Sequence, residues 1–443
     1  MHLGIFLKEN RYRLVLIILI TLISPLLPMQ DMAVAMLIVS SILLILIVSR
    51  HRMGNHSVFI IIMLLYGLFS RLIFYSSGGM QYNPVFLLPD IYILMYMNEL
   101  ISAVKHINKY KKAGLLVFIL LTVIYSTLIS PGDIIVQAIS LNILIIPLLF
   151  FLIVSSIRKI INMMELMAPF IIGYAVLHFS GILPVFDAYW IDMNHMNTFD
   201  SIKVGGIMRP LSSFTSVEEL GIFLMLLMII PFYRRTKYTV IMGITALSML
   251  LIFSIRLPLM IFLAFVIFFL ISRRQYKILG VTVLIIAGIS IMVNFSDITR
   301  PIHSKETGMD VIVRHTLEPF DNIFSSYSME KRIVTAYRNI EIIKDNPAGL
   351  GFNANPRIMA HQKNVTEAES SFIQLVLGAG MPMLLFLAGI YILSGISILR
   401  SRFGLKDGLL FISLLLILFT HALSLHFIGP LVYLSIIKGI DFE

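Results

Sequence analysis

Leu220-Gly221-Ile222-Phe223-Leu224-Met225-Leu226-Leu227-Met228-Ile229-Ile230-Pro231-Phe232-Tyr233 runs without a charge and stops on Arg234-Arg235-Thr236-Lys237. A helix made from this run is apolar all round, which suits a buried or lipid-facing helix and not a surface one. Basic residues directly after such a run mark the cytoplasmic side of a membrane. Working outward, the same alternation of apolar run and short basic connector repeats along the chain. The expected spans are 14–29, 32–49, 57–75, 84–104, 113–130, 133–154, 163–183, 218–233, 238–255, 257–271, 278–295, 370–396 and 408–428. Several fall short of the roughly 20 residues a crossing helix needs, so twelve to fourteen crossings are expected. A β-barrel would need segments of about 10 residues in period-two alternation, and the chain has none. The expected fold class is an all-α polytopic integral membrane protein, one membrane domain over 1–443.

Composition agrees with this. The 443 residues are 58% hydrophobic and 13% charged, with a mean hydropathy of +0.93. A soluble domain cannot hide that much apolar surface. Twenty of the 34 Lys and Arg fall in every second connection: 8–13, 50–52, 105–112, 158–159, 234–237, 273–277 and 400–406. This sets a cytoplasmic amino terminus. It also accounts for the net charge of +10 by topology, so nucleic acid is not an expected partner. The chain has no cysteine, which excludes a disulfide framework and thiolate metal sites. The first span, with no small-residue cleavage site before the next helix, reads as retained and not as a signal peptide.

Two large connections remain, 184–217 and 296–368, and charge alternation puts both on the outer face. The first ends Gly205-Gly206-Ile207-Met208-Arg209-Pro210, then Ser216-Val217-Glu218-Glu219 before the apolar run. Ser216-x-x-Glu219 has capping-box spacing, which explains Glu218 and Glu219 without a functional role. Arg209 stands beside a glycine pair, ahead of a membrane helix, where a fixed cation suits an anion; snorkelling at headgroup level is the plainer account. The second connection carries nine basic and nine acidic residues, so individual arginines, not bulk charge, must carry anion binding. Within it, 328–344 reads as an amphipathic helix. Ile333, Tyr337, Ile340 and the stem of Lys344 form one stripe, with Lys331 and Arg338 opposite. Asn346-Pro347-Ala348-Gly349-Leu350-Gly351 stops it. Ser254-Ile255-Arg256-Leu257-Pro258 joins two apolar runs with almost no loop, so Arg256 sits at the outer boundary, where a charge is costly without a partner. Asp90, Glu99, Arg71, His178, His421 and His426 lie within or near expected spans. Asp90 and Arg71 could pair, and buried pairing or lining a lipid path are both open.

In this order, Arg209, Phe253-Ser254-Ile255-Arg256, Ser328-x3-Arg332-x5-Arg338, Asn346-Pro347-x-Gly349-x-Gly351 and Glu369-Ser370-Ser371-Phe372 with Gly380 resemble the O-antigen polymerase and ligase superfamily. The resemblance covers about 200–395. Arg338-x10-Gly349 fits the arginine–glycine spacing of polymerase outer loops, whereas Arg209 to Gly221 has eleven intervening residues. Ligases resemble His-Asn-x-x-Leu where this chain has Glu-Ser-Ser-Phe, which favours a polymerase over a ligase.

The resemblance implies a GT-C-like membrane glycosyltransferase in the inner membrane, with its large loops periplasmic or extracellular. Its substrate would be an undecaprenyl diphosphate-linked glycan, with membrane lipids, a chain-length regulator and a flippase as partners. Arginine's planar fork suits diphosphate. Arg209, Arg256 and Arg338, with Arg332 behind them, are the expected diphosphate ligands. Glu369 is the expected general base, although Thr366-x-x-Glu369 also has capping-box spacing. No metal or cofactor is expected. The competing class is a lipid-linked oligosaccharide transporter, which would more commonly show repeated halves and midplane charges.

Overall fold

The structure, a computed structural model, describes residues 60–78, 88–106, 157–284, 327–350 and 371–400, with breaks inside these ranges and isolated positions elsewhere. Its helices are α1 Tyr66–Ser76, α2 Leu88–Met95, α3 Met97–His106, α4 Ile157–Phe179, α5 Val185–Ile202, α6 Val217–Tyr233, α7 Lys237–Ile252, α8 Arg256–Ser272, α9 Tyr327–Asp345 and α10 Ser371–Arg400. Between α5 and α6 lies a minimal hairpin, β1 Lys203–Val204 and β2 Ile207–Met208, with Lys203 opposite Met208. The described chain is therefore all-α in character. Among the described residues one segment, Ile161–Phe179, is long and apolar enough to cross a membrane; Lys237–Ile252, Leu257–Ile271 and Val376–Gly389 are apolar but shorter.

The chain divides into two compact units. The first holds Met1–Met95, Ser156–Ile255 and Ser304–Ile312; the second holds Tyr96–Ser155, Arg256–His303 and Val313–Glu443.

In the first unit α6 and α7 form a helical hairpin. Ser216 caps α6, its hydroxyl accepting from the Glu219 amide at 3.2 Å. Thr236 caps α7 in a reciprocal box with Thr239. Each cap satisfies amides that the first helical turn leaves without a partner. Gly243 lets α7 close on α6, since a Cβ there would stand 3.0 Å from Pro231 Cγ. The apolar run from Leu220 is buried along nearly its whole length, so α6 is a core helix of this unit.

Helix α4 packs beside the hairpin and is fastened at both ends. At one end Arg234 Nη1 donates to Asn162 Oδ1 at 2.8 Å and to Glu165 Oε2 at 3.3 Å. At the other, Phe179 meets Phe253 with ring centroids 5.3 Å apart. Pro169, inside α4, has no amide to donate to the Glu165 carbonyl. The Tyr238 hydroxyl donates to that carbonyl instead, at 2.7 Å. The basic residues that open α4 and those of the α6–α7 turn thus lie at one end of this helix group.

The second unit contains an unusual crossing of α10 by the turn after α9. Gly380 has non-helical torsions (φ 65°, ψ −153°), which interrupt α10. The Met381 amide leaves its intrahelical partner and donates to Pro347 O at 2.9 Å; the vacated Leu377 O accepts from the Leu350 amide at 2.7 Å. Backbone lies directly on backbone here. A Cβ on Gly380 would run into Pro347 O, and one on Gly349 (φ +86°) would come within 2.5 Å of Gly380 N. Ile343, Val376, Leu377, Ala379, Met383 and Leu387 form a buried apolar cluster around this joint.

The apolar run 84–104 does not form one helix, because α2 and α3 are separated at Tyr96. The connection 184–217 is largely helical, being mostly α5.

Candidate functional site

A buried, hydrogen-bonded polar site of the first unit is the turn that follows Arg209. At its centre Arg71 of α1 is fully buried and donates from Nε to Asp187 Oδ1 of α5 at 2.5 Å. Its Nη1 and Nη2 donate to the carbonyls of Phe214 and Ser212. Asp187 also accepts from the Tyr174 hydroxyl and pairs with His178 Nε2 at 2.8 Å. Asp187 Oδ1 and Oδ2 are thus met by three side chains from α1 and α4.

A charge this deep survives only when paired and hydrogen-bonded on all sides. Arg71 meets that condition with one carboxylate and two carbonyls. Burial by itself would raise the Asp187 carboxyl, but the Arg71 guanidinium, with hydrogen bonds from His178 and Tyr174, outweighs it and holds the group below the ordinary carboxylate range.

The turn 211–214 is tied down by more than Arg71. Ser212 adopts a left-handed conformation (φ 54°), uncommon for a residue with a side chain. Its hydroxyl donates to Ile171 O at 2.6 Å, and the Ser213 hydroxyl donates to Leu64 O at 2.8 Å. The Leu68 amide, in the first turn of α1, donates to Ser213 O at 3.0 Å. The turn therefore also caps a helix that has no side-chain cap. Strained backbone of this kind persists where surrounding contacts over-determine it, and such positions cluster at functional sites. Arg209 and buried Pro210 lead into this turn from β2, with Arg209 half-buried.

Arg209 belongs to the first unit, and Arg256, Arg332 and Arg338 to the second. Arg256 is the first residue of α8. Arg332 and Arg338 share α9, and Arg338 is exposed. Glu369 lies outside the described residues, as do Thr366, His421 and His426.

The carboxylate that meets Arg71 is Asp187; the side chain of Asp90 lies outside the described residues. Sequence reasoning places Asp187 in an outer connection and so misses it, together with Tyr174. Asp187 is three residues past Pro184, immediately beyond the apolar run that holds His178. A carboxylate so near a span end is the signal that points to it. On α9, the stripe of Tyr337 and Ile340 faces outward, and the buried side is Asn339 and Ile343. Two glycines carried in the resemblance, Gly349 and Gly380, lie against each other in the α9–α10 joint. That contact gives both a packing role.

No protein-family model, curated protein or solved structure matches this chain.

Proposed function

We propose that this chain is a polytopic inner-membrane glycosyltransferase that polymerises undecaprenyl diphosphate-linked repeat units, of O-antigen, capsule or exopolysaccharide type, at the outer face. The observation that carries it is the rigidity of the Arg209 turn. A buried ion pair, two serine hydroxyls and a strained backbone fix one short segment just ahead of an apolar helix. Fixed cations at a membrane edge suit a lipid-linked diphosphate, because charge stabilisation needs donors that do not reorganise during reaction. The grouping of the basic ends of α4 and of the α6–α7 turn supports the sidedness read from charge.

The chemistry asks little of the protein. The acceptor sugar hydroxyl loses its proton to Glu369 and attacks the donor's anomeric carbon. A new glycosidic C–O bond forms as the bond from that carbon to the diphosphate oxygen breaks. Undecaprenyl diphosphate leaves, its charge held by arginine, the role that the sequence resemblance implies for Arg209, Arg256 and Arg338, with Arg332 in support.

The test is a reconstitution. Purified protein in proteoliposomes with lipid-linked repeat units should give a polymer ladder, and Arg209→Ala should insert normally yet abolish it. Movement of the lipid-linked unit across the bilayer without bond formation would show a transporter instead. Transfer of finished glycan to a lipid core without polymer growth would show a ligase.

A further inference from the structure

Helix α9 carries an exposed apolar face that its packing against α10 leaves open. Tyr337 is 68% exposed, Ile340 45% and Val334 44%. Tyr337, Ile340 and Lys344 follow at helical spacing along one side, and the opposite side, with Asn339 and Ile343, is buried. Exposed Glu341 lies on this side between Tyr337 and Val334, and exposed Asp345 and Arg338 lie at its edge beyond Val334.

The joint with α10 fixes the depth of the C-terminal end of this helix. After its break at Gly380, α10 continues to Arg400. A helix rises about 1.5 Å per residue, so this stretch climbs about 30 Å, roughly the thickness of a bilayer's hydrocarbon core. Arg400 opens a basic cluster that belongs inside by the charge rule. Gly380 therefore stands at the outer hydrocarbon boundary. The backbone bonds from Met381 to Pro347 and from Leu350 to Leu377 tie the end of α9 to that level.

At that depth the surroundings of an open apolar face are lipid, and the residues on it suit the interface. Tyrosine favours the headgroup boundary, and Lys344 and Arg338 can bury their stems while holding their charges near phosphate. We infer that α9 lies in the outer interfacial layer of the membrane, with Val334, Tyr337 and Ile340 against the acyl chains and Arg338 at the depth of lipid phosphates. This placement rests on the proposed crossing of the membrane by α10.

The chain has no cysteine, so single cysteines can be introduced for nitroxide labelling without further changes. Val334→Cys, Tyr337→Cys and Ile340→Cys are made separately, with Leu393→Cys, 68% exposed in α10, as the reference. Each is reconstituted in vesicles of phosphatidylethanolamine and phosphatidylglycerol and probed by collision with oxygen and with a water-soluble nickel chelate. Oxygen should dominate at 334, 337, 340 and 393. Dominance of the chelate at 334, 337 and 340 with oxygen still dominant at 393 would overturn the interfacial placement alone. Dominance of the chelate at 393 as well would overturn both the placement and the crossing by α10.

Discussion

Asp187 holds its place by exchanging water for one guanidinium and two further side chains, and removing its charge should be costly. Breaking a buried pair on one side leaves the other charge uncompensated, a loss of about 3–5 kcal/mol. Asp187→Asn should therefore lower the thermal unfolding midpoint strongly, and a double-mutant cycle with Arg71→Met should show coupling between the two positions. Failure to find coupling would mean that Arg71 is held by the Ser212 and Phe214 carbonyls alone. The depressed Asp187 carboxyl also sets a pH dependence. Its contribution is complete above the carboxyl's unfolded pKa and is lost as pH falls through the lower folded value. Acid titration of wild-type stability should show this loss, and Asp187→Asn should not. Asn339 presents the opposite case. It is fully buried and neither side-chain nitrogen nor oxygen has a partner among the described residues. An unsatisfied buried amide costs about 1–3 kcal/mol. Asn339→Leu is expected to raise the melting temperature, and a fall would show that the amide is satisfied in the membrane.

At the level of elements, the α9–α10 joint depends on two absent side chains. Gly349 and Gly380 both have positive φ, and both approach backbone too closely for a Cβ. Strained positions of this kind cost about 1–3 kcal/mol each for ordinary residues, before any clash is counted. Gly380→Ala should therefore detach the 346–350 turn from α10 while leaving the α6–α7 hairpin intact. Limited proteolysis in detergent would detect this as faster cleavage near 346–350 at unchanged protection of 217–252. Equal protection throughout would mean that the crossing tolerates a methyl group. The same element explains what was legible in sequence and what was not. Asn346-Pro347 followed by Gly349 announces a helix stop from local chemistry. That its partner would be a break in α10 depended on a contact across a gap of some thirty residues, and no local pattern encodes such a contact.

For the molecule as a whole, sidedness gives the broadest test. In the cysteine-free chain, Met193→Cys in α5 and Arg235→Cys in the α6–α7 turn occupy exposed positions that the charge rule assigns to opposite faces. An impermeant maleimide applied from outside should label position 193 and spare 235. Labelling of both, or of 235 alone, would reverse or dissolve the topology. On the same topology Arg256→Ala should insert normally yet abolish long-chain glycan in a complemented deletion strain, since loss of one charge contact to a transition state costs about 10²–10³ in rate. Wild-type chain length would remove Arg256 from the site. Hydrophobicity, charge and capping are properties of neighbouring residues, so the helical class, the alternation of basic connectors and the start of α6 at Ser216 could be read along the chain alone. Three-dimensional packing was needed to show that Arg71 meets Asp187, that Tyr238 serves the carbonyl of Glu165, and that Gly349 lies on Gly380. Each joins segments tens of residues or more apart, and a buried polar group accepts whichever partner the packing of helices brings within hydrogen-bond reach.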